Sequence, residues 1–265
     1  MSSKIRLAWK LASLGFRVQL QFKGSFLLNR IAQVIAYGSS FGAIFILTYR
    51  IGGMAGWVWR ELLFLMSFQL LSYSLGAAFC FVQFRELESN VRKGTFDLLL
   101  VKPAPAWLYI IFAKFNFDYI GHVCLALTLM AWSSIHLVDW NFITVLYLFA
   151  AILNSAALTA SMLLMIGALS LFGIRVYYLY VIFFSVLEFT RYPIVIFPLL
   201  LQVTVVVLVP LAFMSYIPVA YLLDHPIPIV GPMGGVFVIF VGPLSICAAT
   251  FVWHRGLVNY QGAGG

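Results

Sequence analysis

The sequence predicts an all-α polytopic membrane protein, and three observations support this fold class. Apolar residues make up 63% of the 265-residue chain and charged residues only 9%, against about 25% in an average soluble domain. The mean hydropathy is +1.03. Long stretches contain no Asp, Glu, Lys or Arg, and in lipid such stretches satisfy their backbone hydrogen bonds as helices. This composition excludes a soluble enzyme. Because the basic residues cluster between apolar stretches, no nucleic-acid partner is expected despite the net charge of +8.

The first element is a predicted amphipathic helix over residues 1–24. Arg6, Lys10 and Arg17 recur at helical spacing, and apolar residues such as Leu11 lie on the opposing face. A basic amphipathic helix of this kind lies in the interface between the membrane and the cytoplasm. Two roles stay open for it: an anchor that sets the topology, or a docking site for a partner.

Six transmembrane helices are predicted, because a helix needs about 20 apolar residues to cross the hydrocarbon core. The uncharged stretches place them at about 31–49, 62–84, 119–138, 142–168, 194–215 and 233–253. The whole chain, 1–265, would then form a single transmembrane domain.

The stretch 176–190 is too short to cross the membrane alone, and Pro193 follows it closely. A proline disfavours helix at the residue before it, so the chain is expected to break at Tyr192. We therefore predict an interfacial or re-entrant helix over 176–190, on the cytoplasmic side.

Basic residues are distributed unevenly among the predicted connections. With the N-terminus inside, fourteen of the sixteen Lys and Arg residues lie on the cytoplasmic side, and only Arg50 and Arg60 lie outside. Positively charged loops stay in the cytoplasm. Both termini are therefore expected to be cytoplasmic.

The longest cytoplasmic connection, 85–106, has the composition of a docking surface. Its first half can form a short charged helix that Gly94 breaks, and Thr95 can cap a second short helix with Asp97 in its first turn. Four large apolar residues fall in the five positions 96–100. Such a cluster suits contact with a partner protein, although the same side chains would also suit the membrane interface.

The connection contains a motif that reads Glu86-x-Glu88, then Gly94-Thr95-x-Asp97-x-Leu99-Leu100-x-x-Pro103. This order resembles the loop between the second and third spans of ABC-2-type permeases, the membrane subunits of ABC exporters. The resemblance extends to Tyr192-Pro193 before the fifth span. The tail from Arg255 onwards is similar to the ending of one bacterial branch, which pairs two different permeases with one kind of ATPase.

The resemblance implies a permease subunit that exports a lipophilic or amphiphilic substrate, such as a drug, lipid or glycolipid, from the bacterial cytoplasmic membrane. The partners would be two copies of a cytosolic ABC ATPase, a second permease chain, the same or related, and membrane lipids. The chain has no GxxxxGK[ST] phosphate loop. ATP and Mg²⁺ would therefore be bound by the ATPase, and this chain would hold no cofactor and be no enzyme.

Within the connection, two groups of residues are expected to form the ATPase-docking and coupling site. The apolar side chains would fill a groove on the ATPase, and the charged ones would orient it. The candidates are Glu86, Glu88, Arg92, Thr95, Phe96, Asp97, Leu98 and Leu99.

Polar residues inside the predicted spans are candidates for function, because their burial in lipid is costly. Gln69 and Tyr73 in the second span, and Asn154 and Thr159 in the fourth, are candidates for lining a transport pathway. Such residues also serve as helix–helix contacts in membranes.

One charged pair is expected inside the membrane. Lys114 and Asp118 are four residues apart at the cytoplasmic end of the third span, and this spacing favours an ion pair on one helix face. A structural role is the simpler interpretation of such a pair.

Two other functions stay open. A membrane-embedded enzyme acting on a lipid-linked substrate would need converging acid, base or metal groups, whereas the four histidines are scattered. A proton-coupled secondary transporter would need ionisable groups at mid-membrane, whereas Lys114, Asp118 and Glu188 are expected nearer one end. A phosphate-loop ATPase in the neighbouring reading frame would favour the permease over both.

Overall fold

A computed structural model describes residues 6, 7, 9–11, 13, 14, 17, 23–113 and 115–262, and the elements in these ranges are helical. The helices are α1 Lys23–Ile51, α2 Trp59–Arg85, α3 Leu87–Arg92, α4 Asp97–Leu100, α5 Ala106–Ala113, α6 Tyr119–Ser134, α7 Phe142–Ala168, α8 Tyr177–Phe189, α9 Leu199–Val203, α10 Tyr216–Leu222 and α11 Met233–Asn259. The amphipathic helix expected over 1–24 lies mostly outside the described residues.

Helix α2 forms the centre of the bundle. Most of it is buried, whereas only about a fifth of the residues in the spans of α1, α7 and α11 are buried. It packs against α6 on one side and α7 on the other, and α7 in turn packs against α11. Gly76 permits the close approach of α2 to α7, because a Cβ there would lie 2.5 Å from the Ala156 carbonyl oxygen. Small residues at such crossings are typical of helices in membranes.

Four of the six predicted spans coincide with helices long and apolar enough to cross a bilayer. They are Ile31–Arg50, Trp59–Arg92, Phe142–Phe172 and Met233–Asn259. The predicted third span corresponds to α6, which has only 16 residues. The all-helical class is thus confirmed, while six crossings stay a prediction.

The fifth predicted span, 194–215, is not one helix. A 3₁₀ turn at Ile194–Ile196 is followed by α9, a π-helical segment at Thr204–Leu208 and a second 3₁₀ turn at Leu211–Met214. Pro198 and Pro210 stand at the breaks, where each removes a backbone donor and restricts the residue before it. An uncharged stretch of sufficient length therefore does not form one helix when prolines interrupt it.

Helix α8 runs alongside α2 instead of across its end. Its Phe184 ring lies 5.0 Å from Phe81 and 6.1 Å from Tyr73. Just after α8, Arg191 shares a narrow cavity with Gln69, which is about 24 Å along α2 from Arg85 at 1.5 Å per residue. These contacts place α8 beside α2 in the bundle. Whether α8 is interfacial or re-entrant in the bilayer stays a prediction.

Candidate functional site

The connection between α2 and α5 folds as a helix, a break and a second helix, as the sequence predicted. Helix α3 ends at Arg92, Gly94 takes the left-handed conformation with φ +70°, and α4 begins at Asp97. Thr95 does not cap α4. Its hydroxyl donates instead to the Asn90 carbonyl oxygen at 3.2 Å, so it ties the break back to α3.

The start of α4 is fixed to the far end of the chain. Phe96 is fully buried, and its ring lies 5.1 Å from Tyr260 and 6.3 Å from Trp253. The Tyr260 hydroxyl donates to Asp97 Oδ1 at 2.8 Å. We call these contacts of Phe96 and Asp97 with Trp253 and Tyr260 the tail clasp. Phe96 was expected to enter a groove on the partner, but its ring is enclosed within this chain.

The exposed apolar residues of the connection are only partly those expected. Leu98 is 65% exposed, Leu100 44% and Val101 82%. Leu99 is only partly exposed and lines a cavity of about 290 Å³ on the side facing α5. The patch open to a partner is therefore Leu98, Leu100 and Val101, which we call the loop patch.

Glu88 joins the connection to α8. Its Oε2 accepts from the Val176 backbone N–H at 3.1 Å, and its Oε1 lies 3.2 Å from Arg92 Nη2. The Glu88 side chain is 13% exposed, whereas Arg92 is 62% exposed. Glu86 is half-buried. Glu88 thus holds two parts of the chain together instead of standing at an open rim, and Arg92 stays accessible.

These contacts connect the loop patch to three long elements, namely α2 directly, α8 through Glu88 and α11 through the tail clasp. A family model described as "ABC-2 family transporter protein" matches residues 34–264, which include all of them. The chain belongs to this family. No curated protein and no solved structure matches it significantly. Membership makes this chain a membrane component of an ABC transporter, and permeases of the family work with a cytosolic ATPase.

A second group of polar side chains converges inside the permease. The Tyr73 and Tyr119 hydroxyl oxygens are 3.1 Å apart, and the Tyr37 and His122 rings meet edge to face at 4.7 Å. The Arg191 guanidinium lies 5.8 Å from the centre of the Tyr37 ring. Residues from α1, α2, α6 and the segment after α8 therefore meet at one level, which we call the polar cluster.

Arg191 brings a charge into this cluster together with its counter-ion. Its Nη1 lies 2.8 Å from Glu188 Oε2. Glu188 was expected nearer one end of the bundle. The contacts of its partner Arg191 with Tyr37 and Gln69 place the pair well along α2. Tyr37, Tyr119 and His122 gave no separate signal, because single aromatic residues in apolar stretches are common.

The four candidates for a pathway separate into two pairs. Gln69 and Tyr73 both belong to the polar cluster. Thr159 is fully buried where α7 meets Gly76, and its hydroxyl donates to the Ser155 carbonyl oxygen. Asn154 lies against Gly242 of α11 and donates to the Ala150 carbonyl oxygen. The contacts of Asn154 and Thr159 are those of helix packing, the alternative considered for them.

The expected pair of Lys114 and Asp118 cannot be placed on one helix. Lys114 lies outside the described residues. Helix α5 ends at Ala113, residues 115 and 116 are not helical, and α6 begins at Tyr119 directly after Asp118. The continuous helix that would bring residues four apart together is therefore interrupted at residues 115 and 116. The pair itself stays a prediction.

Proposed function

We propose that this permease is the membrane subunit of a bacterial exporter that moves a lipophilic or amphiphilic compound, such as a drug, lipid or glycolipid, across the cytoplasmic membrane. Both termini and the α2–α5 connection face the cytoplasm. Two copies of a separate ATPase dock there and bind ATP and Mg²⁺. A second permease chain, the same or related, completes the membrane part.

The observation that carries this proposal is that the exposed loop patch directly follows a residue buried in the bundle. Leu98, Leu100 and Val101 are exposed, yet the residue before α4, Phe96, is fully buried against α11. An apolar patch in water is costly unless a partner covers it. A patch fixed from behind transmits a push, since packed side chains hardly deform.

A displacement of the loop patch would be transmitted to the bundle through three contacts. Helix α3 continues from α2 with only Glu86 between them, so a displaced connection moves α2 directly. The Glu88–Val176 hydrogen bond leads to the start of α8, and the tail clasp leads to the end of α11. An ATPase that moves α4 would therefore displace three helices together.

Charge around the loop patch indicates the character of the ATPase surface. Arg92, Lys93 and Lys102 are all exposed around it. An acidic rim on the ATPase groove would complement them, and such complementarity governs association rate and specificity more than affinity.

The polar cluster is the proposed contact for the polar part of the cargo. Burying Gln69 and much of Tyr73 and Arg191 among apolar helices costs free energy that a purely structural bundle would avoid, while the Glu188 counter-ion stays 57% exposed. These side chains lie far along α2 from the loop patch, so a cargo at the cluster and an ATPase at the patch would not compete.

The docking proposal is tested by Val101→Asp, with Val258→Asp as the matched control. Both valines lie on the side assigned to the cytoplasm, and they are 82% and 83% exposed. We expect Val101→Asp to reduce recovery of the phosphate-loop ATPase of the neighbouring reading frame, co-expressed with the tagged permease, by about tenfold or more. Val258→Asp should leave recovery and permease-stimulated ATP hydrolysis unchanged.

A folded Val101→Asp permease that retains full recovery and stimulation would contradict the docking site. Equal losses in both variants would show a general effect of added negative charge at this end. Leu98→Asp provides an independent second position in the same patch.

A further inference from the structure

An apolar cavity of about 270 Å³ lies between α1, α2 and α6, close to the turn that joins α1 to α2. Its walls include Phe41 and Phe45 from α1, Trp59, Leu63 and Met66 from α2, and Trp132 from α6. The cavity lies at the opposite end of α2 from the loop patch.

The walls of this cavity are held in place by aromatic contacts. The Trp59 ring meets Phe45 edge to face at 5.2 Å and lies 5.5 Å from Trp132. On the α1 side, a Cβ added at Gly42 would meet no atom within 4 Å. The cavity therefore has a rigid side formed by the two indole rings and free space toward α1.

Two arginines lie at the end of the bundle on which the cavity is found, each next to a residue in contact with the cavity wall or part of it. The Arg60 guanidinium carbon lies 5.5 Å from the centre of the Trp59 ring. Arg50 follows Tyr49, whose ring stacks on Phe45 at 5.9 Å. Both arginines are exposed, and no carboxylate among the described residues forms an ion pair with either. The neighbouring Glu61 is engaged with His225 and with the Val58 backbone.

We propose that this cavity binds one acyl chain of an anionic phospholipid, whose phosphate is held by Arg60 and Arg50. A narrow carbon-lined space accepts a flexible hydrocarbon chain. It is below the range of about 300–1,000 Å³ usual for whole drug-sized ligands. Guanidinium groups bind phosphate oxygens through charge-assisted hydrogen bonds.

The size of the cavity and the position of the arginines select the same ligand. An uncharged lipid would fill the carbon-lined space but leave the two guanidinium groups to water. A free anion would engage the guanidinium groups but leave the cavity empty. Only a molecule that carries both parts satisfies both regions. This binding belongs to the permease alone and does not depend on the ATPase docking at the opposite end.

The first test measures lipid retention by native mass spectrometry on the full-length permease, purified in detergent and titrated with phosphatidylglycerol or with diacylglycerol, which has the same chains but no phosphate. We expect phosphatidylglycerol to bind more tightly, and Arg60→Gln to weaken it by about fivefold. Arg255→Gln is the matched control, because Arg255 also lies over an aromatic ring, Phe251 at 5.2 Å, but at the other end. That variant should bind as the parent does.

The second test locates the acyl chain. Phosphatidylglycerol with brominated chains should quench tryptophan fluorescence in reconstituted vesicles, and Gly42→Leu, which fills the cavity from α1, should reduce that quenching. Leu63→Phe should fill it from α2 without adding a tryptophan. Folding of each variant is checked by helix content and thermal unfolding. Equal binding of the two lipids, equal effects of Arg60→Gln and Arg255→Gln, or unchanged quenching in a folded Gly42→Leu permease would each overturn the proposal.

Discussion

The two ends of α2 are both fixed to distant parts of the chain, but they differ in which apolar side chains are buried. At the Arg85 end, the tail clasp encloses Phe96 and leaves the loop patch open. At the Trp59 end, Trp57 is 1% exposed and Tyr216 is fully buried. One end thus leaves a patch of apolar side chains exposed, whereas the other buries Trp57 and Tyr216 within the chain.

The Trp59 end of α2, which we call the closed end, is centred on His225; the Arg85 end is the open end. Its ring stacks on Trp57 at 4.2 Å with 14° between the planes. His225 Nε2 lies 3.1 Å from Glu61 Oε2, at ion-pair distance although not aligned as a hydrogen bond. The Tyr216 hydroxyl donates to the Pro226 carbonyl oxygen at 2.7 Å. His225, Trp57 and Tyr216 thus all make their contacts within this chain. If the ATPase docks at the loop patch as proposed, force would enter α2 at the Arg85 end and meet a fixed structure at the Trp59 end.

The largest expected effect is loss of stability on removing the centre of the closed end. Trp57→Ala deletes a buried indole that contacts His225 and Tyr216, and such a deletion typically costs about 3–5 kcal/mol. We expect a large fall in the apparent unfolding temperature of the purified permease. Trp107→Ala is the control, because Trp107 is 41% exposed. Similar falls in both variants would mean that the Trp59 end is not closed as described.

The next effect distinguishes the support of α4 on α11 from the binding of the ATPase to the loop patch. Phe96→Ala removes a smaller buried ring and is expected to cost about 3 kcal/mol. It should also lower ATPase stimulation, because α4 would lose its support on α11. Recovery of the ATPase should fall much less, since Leu98, Leu100 and Val101 remain. Thermal unfolding, hydrolysis and recovery are measured on the same preparation. Undiminished stimulation in a destabilised variant would contradict the transmission route through the tail clasp.

The long helices were predictable from the sequence because each carries its own signal. About twenty residues without charge predict a helix whatever the rest of the chain does. This reasoning located α1, α2, α7 and α11. It failed over 194–215, where an uncharged stretch is divided by prolines and the local backbone rules decide the structure.

The candidate site was predictable only in outline. The helix–break–helix pattern followed from Gly94 and the residues around it. Which apolar side chains stay exposed did not follow, because Phe96 is buried by Trp253 and Tyr260, far along the chain. Local sequence patterns do not show which residues far apart in the chain will contact each other. The bond from Glu88 to Val176 escaped prediction for the same reason.

A smaller effect is expected when the polar contact of the tail clasp is removed. Tyr260→Phe keeps the ring against Phe96 but deletes the hydroxyl that donates to Asp97. A hydrogen bond to a charged group contributes about 1.5–3 kcal/mol, and about 1 kcal/mol is expected here because the pair is only partly buried. Coupling efficiency, measured as transport per ATP hydrolysed in proteoliposomes, should fall. Tyr178→Phe, at an exposed tyrosine, is the control and should change neither quantity.

The smallest effect is expected at Arg92, and it distinguishes two explanations of Glu88. An exposed i,i+4 ion pair contributes about 0.3–0.5 kcal/mol and weakens with salt. Arg92→Ala should therefore shift the apparent unfolding temperature by about 1 °C, and this shift should vanish at high ionic strength. Glu88→Ala should cost more at every ionic strength, because it also leaves the Val176 N–H without its acceptor. Glu88→Gln, which keeps a side-chain oxygen, should recover most of that loss. If Arg92→Ala and Glu88→Ala shifted the temperature equally, the ion pair would be the main role of Glu88, and the link from the open end of α2 to α8 would have no energetic support.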